Sequence, residues 1–162
     1  MILFEEPFLD PTQFARDWVM GPGMAIRNGV LAFSPGHDEG YCVGTTRRTD
    51  FRDFSLVADV RIVSAAVGFV LRAVGPTEYY MVQFDLANNP EVVWFHTFTP
   101  EVEEGYRLEL VPSRVVPRAG AWHRMRVVVR GTRFDVYLGE PEETLQHCAT
   151  RQDPHETYRQ GA

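Results

Sequence analysis

The chain has 162 residues, with sixteen basic side chains against twenty-two acidic ones and a formal net charge of -6. That is the length of one domain, long enough to bury about 70% of its unfolded surface, so residues 1–162 are expected to form a single domain. A net acidic chain lacks the basic face that nucleic acid demands, and no run approaches the ~20 apolar residues of a membrane helix. Neither nucleic acid nor a membrane is an expected partner.

Cys42 and Cys148 are the only cysteines, too far apart for a thioredoxin-type pair or half of a zinc knuckle. A long-range disulfide between them is geometrically open, but two free thiols in a reducing compartment are the expectation. The start MILFEEPF turns acidic by its fifth residue and does not read as a signal peptide. A cytoplasmic protein is expected, or an exported one whose leader has been processed away.

In chain order, ILFEEPFLD reads as a short edge strand, stopped by a turn at Asp10-Pro11 because proline has no N–H to give to a ladder. Phe14 to Met20 fits no single template, with Trp18 as its core anchor. After Gly21-Pro22-Gly23, MAIRNGVLAF reads as a hairpin turning at Asn28-Gly29, with Ile26, Leu31 and Phe33 inward. Ser34 to Gly40 is a surface loop, and YCVGTTRR a strand.

The stretch from Phe54 to Phe98 carries the clearest signal. In FSLVADVRIV, Phe54, Leu56, Ala58, Val60 and Ile62 alternate with Ser55, Asp59 and Arg61, the period of a strand with one buried face. GFVLRA and YYMVQFD continue it, and VVWFHTF follows a break at Asn88-Asn89-Pro90. Glu101 to Gly105 turns the chain into YRLELV, and the proline-bearing segment from Pro112 to Ala121 is an exposed, non-helical loop. WHRMRVVVR and RFDVYLG form a hairpin about Gly131-Thr132, with His123, Met125, Val127 and Val129 on one face and Phe134, Val136 and Leu138 inward on the return. LQHCAT is the last apolar run. This gives roughly eight to eleven strands, no convincing helix and no internal repeat, the pattern of an all-β sandwich or barrel.

Several of these segments together resemble the concanavalin-A-like lectin/glucanase superfamily, and within it the laminin-G-like domains grouped with 3-keto-disaccharide hydrolases. They are Phe51-Arg52-Asp53-Phe54, the strand carrying Asp59 and Arg61, GFVLRA with Gly68 and Arg72, YYMVQFD, and the hairpin from Trp122 to Leu138. The resemblance implies a jelly-roll sandwich of two antiparallel sheets, with carbohydrate bound on the concave one. It also implies a further closing strand after the segment from Glu156 to Gly161. An uncovered sheet edge there invites a homodimer, unless the N-terminal strand and LQHCAT close the sheets unaided.

With Tyr80, Val82 and Phe84 inward, Tyr79, Gln83 and Asp85 share the opposite face, where Arg72 meets them across the ladder and Trp94 and His96 extend the patch. Planar polar groups beside aromatic rings suit a sugar, so these six residues are the candidate ligand site. A solvent-facing polar ladder is the plain alternative. The leading function is a non-catalytic carbohydrate-binding module. Its rivals are a hydrolase of the keto-glycoside type, in which Asp85 or a turn glutamate meets His96 in a cleft, and a protein-interaction or structural sandwich domain.

No paired acids stand at the spacing that glycoside hydrolysis requires. Asp85, Asn88, Asn89 and Glu91 lack the spacing of a calcium loop, so neither metal nor cofactor is expected. Arg61, Arg124 and Arg126 extend the patch or pair with Asp59 and Asp135 in a charge ladder. Trp122, opening a strand after a loop, reads as packing at the core's edge.

Overall fold

The computed structural model describes residues 4–34, 43–100 and 106–162, the side chain of Tyr106 excepted. Most of the expected loop from Ser34 to Gly40, the start of YCVGTTRR with Cys42 and its pairing, and the Glu101–Gly105 turn lie outside the described residues. The chain contains two compact units, Met1–Arg48 and Thr49–Ala162.

The first unit corrects the sequence reading at its start. Asp10-Pro11 opens a helix, α1 (Pro11–Asp17), where a turn after an edge strand was expected, and residues 4–10 form no strand. Asp10 is its N-cap, and its Oδ1 accepts from the Thr12 N–H at 2.8 Å. Proline stands at the first helical position, where the N–H it lacks would have had no partner in any case. Phe14 is buried and stacks on Trp18 with ring centroids 5.3 Å apart. Two-residue strands β1 (Trp18–Val19) and β4 (Thr45–Thr46) pair, and β2 (Met24–Arg27) pairs with β3 (Val30–Phe33). The β2–β3 turn has φ of 52° at Asn28 and 70° at Gly29, the type I′ geometry expected of that dipeptide. Met24 is the buried residue of this hairpin, and Phe33, expected inward, is 47% exposed.

The second unit is an all-β sandwich of two four-stranded antiparallel sheets. Its strands are β5 (Phe54–Arg61), β6 (Ala66–Gly75), β7 (Glu78–Asp85), β8 (Val92–Phe98), β9 (Tyr106–Pro112), β10 (Trp122–Arg130), β11 (Arg133–Gly139) and β12 (Gln146–Gln152). One sheet runs β6-β7-β8-β9 and the other β12-β11-β10-β5. The twelve strands among the described residues exceed the expected number, because β1 is too short to leave a periodic trace.

Alternation places the core as the sequence dictates. Tyr80, Val82, Phe84, Val93 and Phe95 from one sheet meet Met125, Val127, Val129, Phe134, Val136 and Leu138 from the other. Cys148 is a buried free thiol, and burial pushes its pKa up to about 11, so it packs as a small hydrophobe.

Polar ties join the sheets at their margins. Arg151 of β12 reaches Glu109 of β9 at 3.1 Å and Thr97 of β8 at 2.9 Å. The Tyr80 hydroxyl donates to Asp153 at 2.5 Å and accepts from the Tyr158 N–H at 2.9 Å. The tail runs beside β6, where Ala162 exchanges both backbone hydrogen bonds with Ala73, each at 3.0 Å, and the Gly161 N–H reaches the Phe51 carbonyl at 3.1 Å.

Burial pushes the Asp153 carboxyl upward, yet the Tyr80 hydroxyl and the Thr157 and His155 amides outweigh it and hold it below the ordinary carboxylate value. A depressed folded-state pKa gives stability that is present above the unfolded value of ~3.9 and is lost as pH falls through the folded one. Urea unfolding at pH 7 and pH 3 should show a smaller acid-induced loss in Asp153→Asn than in the wild type; equal losses would remove this carboxylate from the acid response. Phe134→Ala, deleting a ring at the centre of the core, should cost about 3–5 kcal/mol by the same assay.

Candidate functional site

The outer face of the β6–β9 sheet is set by register. Gln83 stands opposite Gly68 and Trp94, Met81 opposite Val70 and His96, and Tyr79 opposite Phe98. Tyr79, Gln83, Asp85, Trp94 and His96 therefore share one face, turned away from Tyr80, Val82 and Phe84. Along β8 the rings of Trp94 and His96 stack at 6.0 Å and those of His96 and Phe98 at 5.6 Å, and Tyr79 lies 4.4 Å from Phe98.

The rings shield one another, and Tyr79 and His96 are 6% and 8% exposed. Burial lowers the His96 pKa to about 4, so its imidazole is neutral near pH 7. Asp85 is equally covered, because its carboxylate closes the turn that follows β7. It accepts from the Ala87 N–H at 2.9 Å, the Asn88 N–H at 3.0 Å and the Asn88 side-chain amide at 2.7 Å. Gln83 and Trp94 are half-buried. The open part of this face is apolar, with Leu108 and Leu110 of the edge strand 41% and 45% exposed.

Arg72 does not join these residues. Simple alternation along β6 would place it on their face, but the ladder breaks between Leu71 and Gly75, so that Arg72, Ala73 and Val74 lie in a bulge opposite Tyr79. Arg72 takes φ of 52°, which redirects its side chain to the end of the sandwich. There Nε and Nη2 donate to the Arg52 carbonyl at 3.0 and 2.6 Å. Nη1 donates to the carbonyls of Gly131 at 2.7 Å and Tyr158 at 3.0 Å, and Nη2 also meets Asp53 Oδ1 at 3.3 Å. These contacts engage all five guanidinium N–H groups. Arg72 is a structural hub rather than a group held out to a ligand.

Among the described residues of the second unit, recesses open at two places. The first, about 850 Å³, is lined by Arg118, Trp122, Glu140, Pro141, Glu142 and Glu143. Trp122 opens β10 opposite Arg61, the last residue of β5, and the Arg61 guanidinium lies 5.2 Å over its ring. Arg118 is ion-paired with Glu140, and its backbone N–H donates to His123 Nε2 at 2.9 Å, which ties the preceding loop to the strand. Trp122 is 37% exposed, so it lies more open than a core-edge packing residue. The sequence did carry a signal for it, a tryptophan after a glycine-bearing loop with Glu140-Pro141-Glu142-Glu143 across the hairpin, but alternation says nothing about which strand end stays open.

The second recess, about 520 Å³, lies at the Arg72 end and includes Arg52, Asp53, Thr132, Arg159 and Gln160 in its walls. Between the recesses, the outer face of the β5–β12 sheet carries the expected charge ladder only in part, for Arg126 donates to the Ser55 hydroxyl at 2.8 Å and the acid partner of Arg133 is Asp135. Arg124 pairs with Asp59 at 2.7 Å and Arg133 with Asp135 at 2.7 Å.

No known family model and no curated protein matches the sequence. By fold the chain is similar to the carbohydrate binding module CBM66 from Bacillus subtilis, with a TM-score of 0.68 and 14% identity, over 90% of this chain and 83% of that one. At that identity the likeness is one of fold, an all-β sandwich of two antiparallel sheets.

Arg72→Lys should destabilise by about 2–4 kcal/mol in urea unfolding, because three N–H groups on one ammonium nitrogen cannot replace five hydrogen bonds made from a fork of three nitrogens, and buried acceptors are left unmet. A loss within about 0.5 kcal/mol, the usual surface value, would contradict the hub. His96, whose folded pKa is lowered, resists protonation that the unfolded chain accepts. Its contribution to stability should fall as pH drops from ~6.5 to its folded value of about 4. Its imidazole proton shifts, followed by NMR, should stay flat from pH 7 to pH 5.5; a midpoint near 6.5 would show an open ring.

Proposed function

We propose that this protein is a non-catalytic carbohydrate-binding module whose platform is Trp122. The observation that carries this reading is the exposed indole in an open groove, with Arg61 over its ring and Glu140, Glu142 and Glu143 along the rim. An aromatic face covers the apolar C–H side of a sugar ring, and carboxylates and guanidinium groups match its hydroxyls. Among the described residues Glu142 and Glu143 accept no side-chain hydrogen bond, although Glu142 acts through space on the Arg124 guanidinium, so their oxygens have room to accept from a ligand. The fold shared with a carbohydrate binding module supports the same reading.

The hydrolase alternative loses its Asp85–His96 couple to geometry. Asp85 lies four residues along β7 from Met81, the partner of His96, a separation of ~13 Å, and its oxygens are held by its own turn. Neither group is placed to pass a proton to the other.

Binding to a panel of neutral oligosaccharides should be detectable by calorimetry or glycan array. Trp122→Ala should weaken it at least about tenfold, the equivalent of ~1.4 kcal/mol, with the fold intact by circular dichroism. Unchanged binding in that variant, or no binding of any glycan by the wild type, would overturn the reading.

A further inference from the structure

The recess at the Arg72 end has a chemistry unlike that of the Trp122 groove, and we infer that it is a second site, for a small hydroxylated carboxylate such as a sugar acid. It stands on different residues from the groove and holds or fails separately.

Three chain segments that are remote in sequence are gathered there around one buried cation. Arg72 binds the Arg52, Gly131 and Tyr158 carbonyls, and Asp53 Oδ1, which meets Arg72, also accepts from the Gly131 N–H at 2.8 Å. The walls therefore come from the residues before β5, the β10–β11 turn and the tail, and they are tied to one another without help from a ligand. A recess built this way is preorganised, which lowers the cost of binding.

The groups left over define the ligand. Among the described residues Arg52 makes one side-chain hydrogen bond, Nε to Gln160 Oε1 at 2.9 Å, so both Nη groups are uncommitted. Asp53 spends Oδ1 on Arg72 and Gly131, and its Oδ2 carries no hydrogen bond among the described residues; the side chain is 65% exposed. Arg159 is paired with Glu156 at 2.5 Å. With Arg72 and Arg159 each in an ion pair, Arg52 is a cation of this recess that forms no ion pair among the described residues, while the Trp122 groove is rimmed by glutamates.

A carboxylate on Arg52 answers that charge with a forked pair of hydrogen bonds. Hydroxyls on the same ligand suit the free Asp53 oxygen, which can only accept. The volume, about 520 Å³, falls in the range of small-molecule sites.

The test is a titration of the intact protein with sodium glucuronate, with glucose and with sodium acetate, followed by amide shifts in 1H–15N NMR spectra. Glucuronate should give saturable shifts at Arg52, Asp53, Gly131 and Thr132, with glucose and acetate each at least about tenfold weaker. Arg52→Gln should weaken glucuronate by a similar factor while leaving the remaining spectrum in place, and Trp122→Ala should leave these shifts unchanged. Absence of saturable shifts, equal binding of acetate or glucose, or indifference to Arg52→Gln would each overturn the inference.

Discussion

The buried guanidinium of Arg72 is the constraint on which one whole end of the sandwich depends. A planar cation with five N–H groups is almost wholly removed from water, so each donor needs an acceptor and the charge needs compensation. Carbonyls from three segments and the Asp53 carboxylate supply both. The arrangement requires Arg72 to take a left-handed backbone within a bulge, and the surrounding hydrogen bonds hold it there. Nearby, a Cβ on Gly161 would stand 2.3 Å from the Arg72 carbonyl carbon, so only glycine lets the tail approach this strand.

That hub separates two kinds of polar group that look alike in sequence. Arg72 and Asp85 are charged residues on strands, and both are consumed by structure: one gathers loops, the other closes its own turn. Arg52, Glu142 and Glu143 lie beyond strand ends, where no ladder partner claims them. Among the described residues, the charged groups that the fold leaves uncommitted accordingly lie at the ends and rims of the sandwich. The middle of the β6–β9 outer face is occupied by a stack of rings that shield one another.

Most of the fold was legible because a sheet with one buried face writes itself at every second residue. Tyr80, Val82 and Phe84 follow that rule, as do Met125, Val127 and Val129, and the inward set matches the core. Asn28-Gly29 specified its turn through the positive φ it tolerates. Asp10-Pro11 misled, because the same dipeptide ends a strand and begins a helix, and only the capping bond to Thr12 distinguishes the two. Arg72 misled because a bulge adds residues without altering the pattern on either side. Parity correctly placed Tyr79, Gln83, Asp85, Trp94 and His96 on one face. Parity reports the face a residue occupies, not whether that face is open, and so it passed over Trp122.

The tryptophans allow the placement of recognition at the Trp122 rim to be tested in one experiment. Trp18, Trp94 and Trp122 each give an indole N–H resonance, and an oligosaccharide that binds can be followed at all of them at once. The account predicts that the Trp122 resonance alone moves to saturation while those of Trp18 and Trp94 stay fixed. A ligand that shifts Trp94 and leaves Trp122 in place would return the site to the ring-stacked face and contradict it.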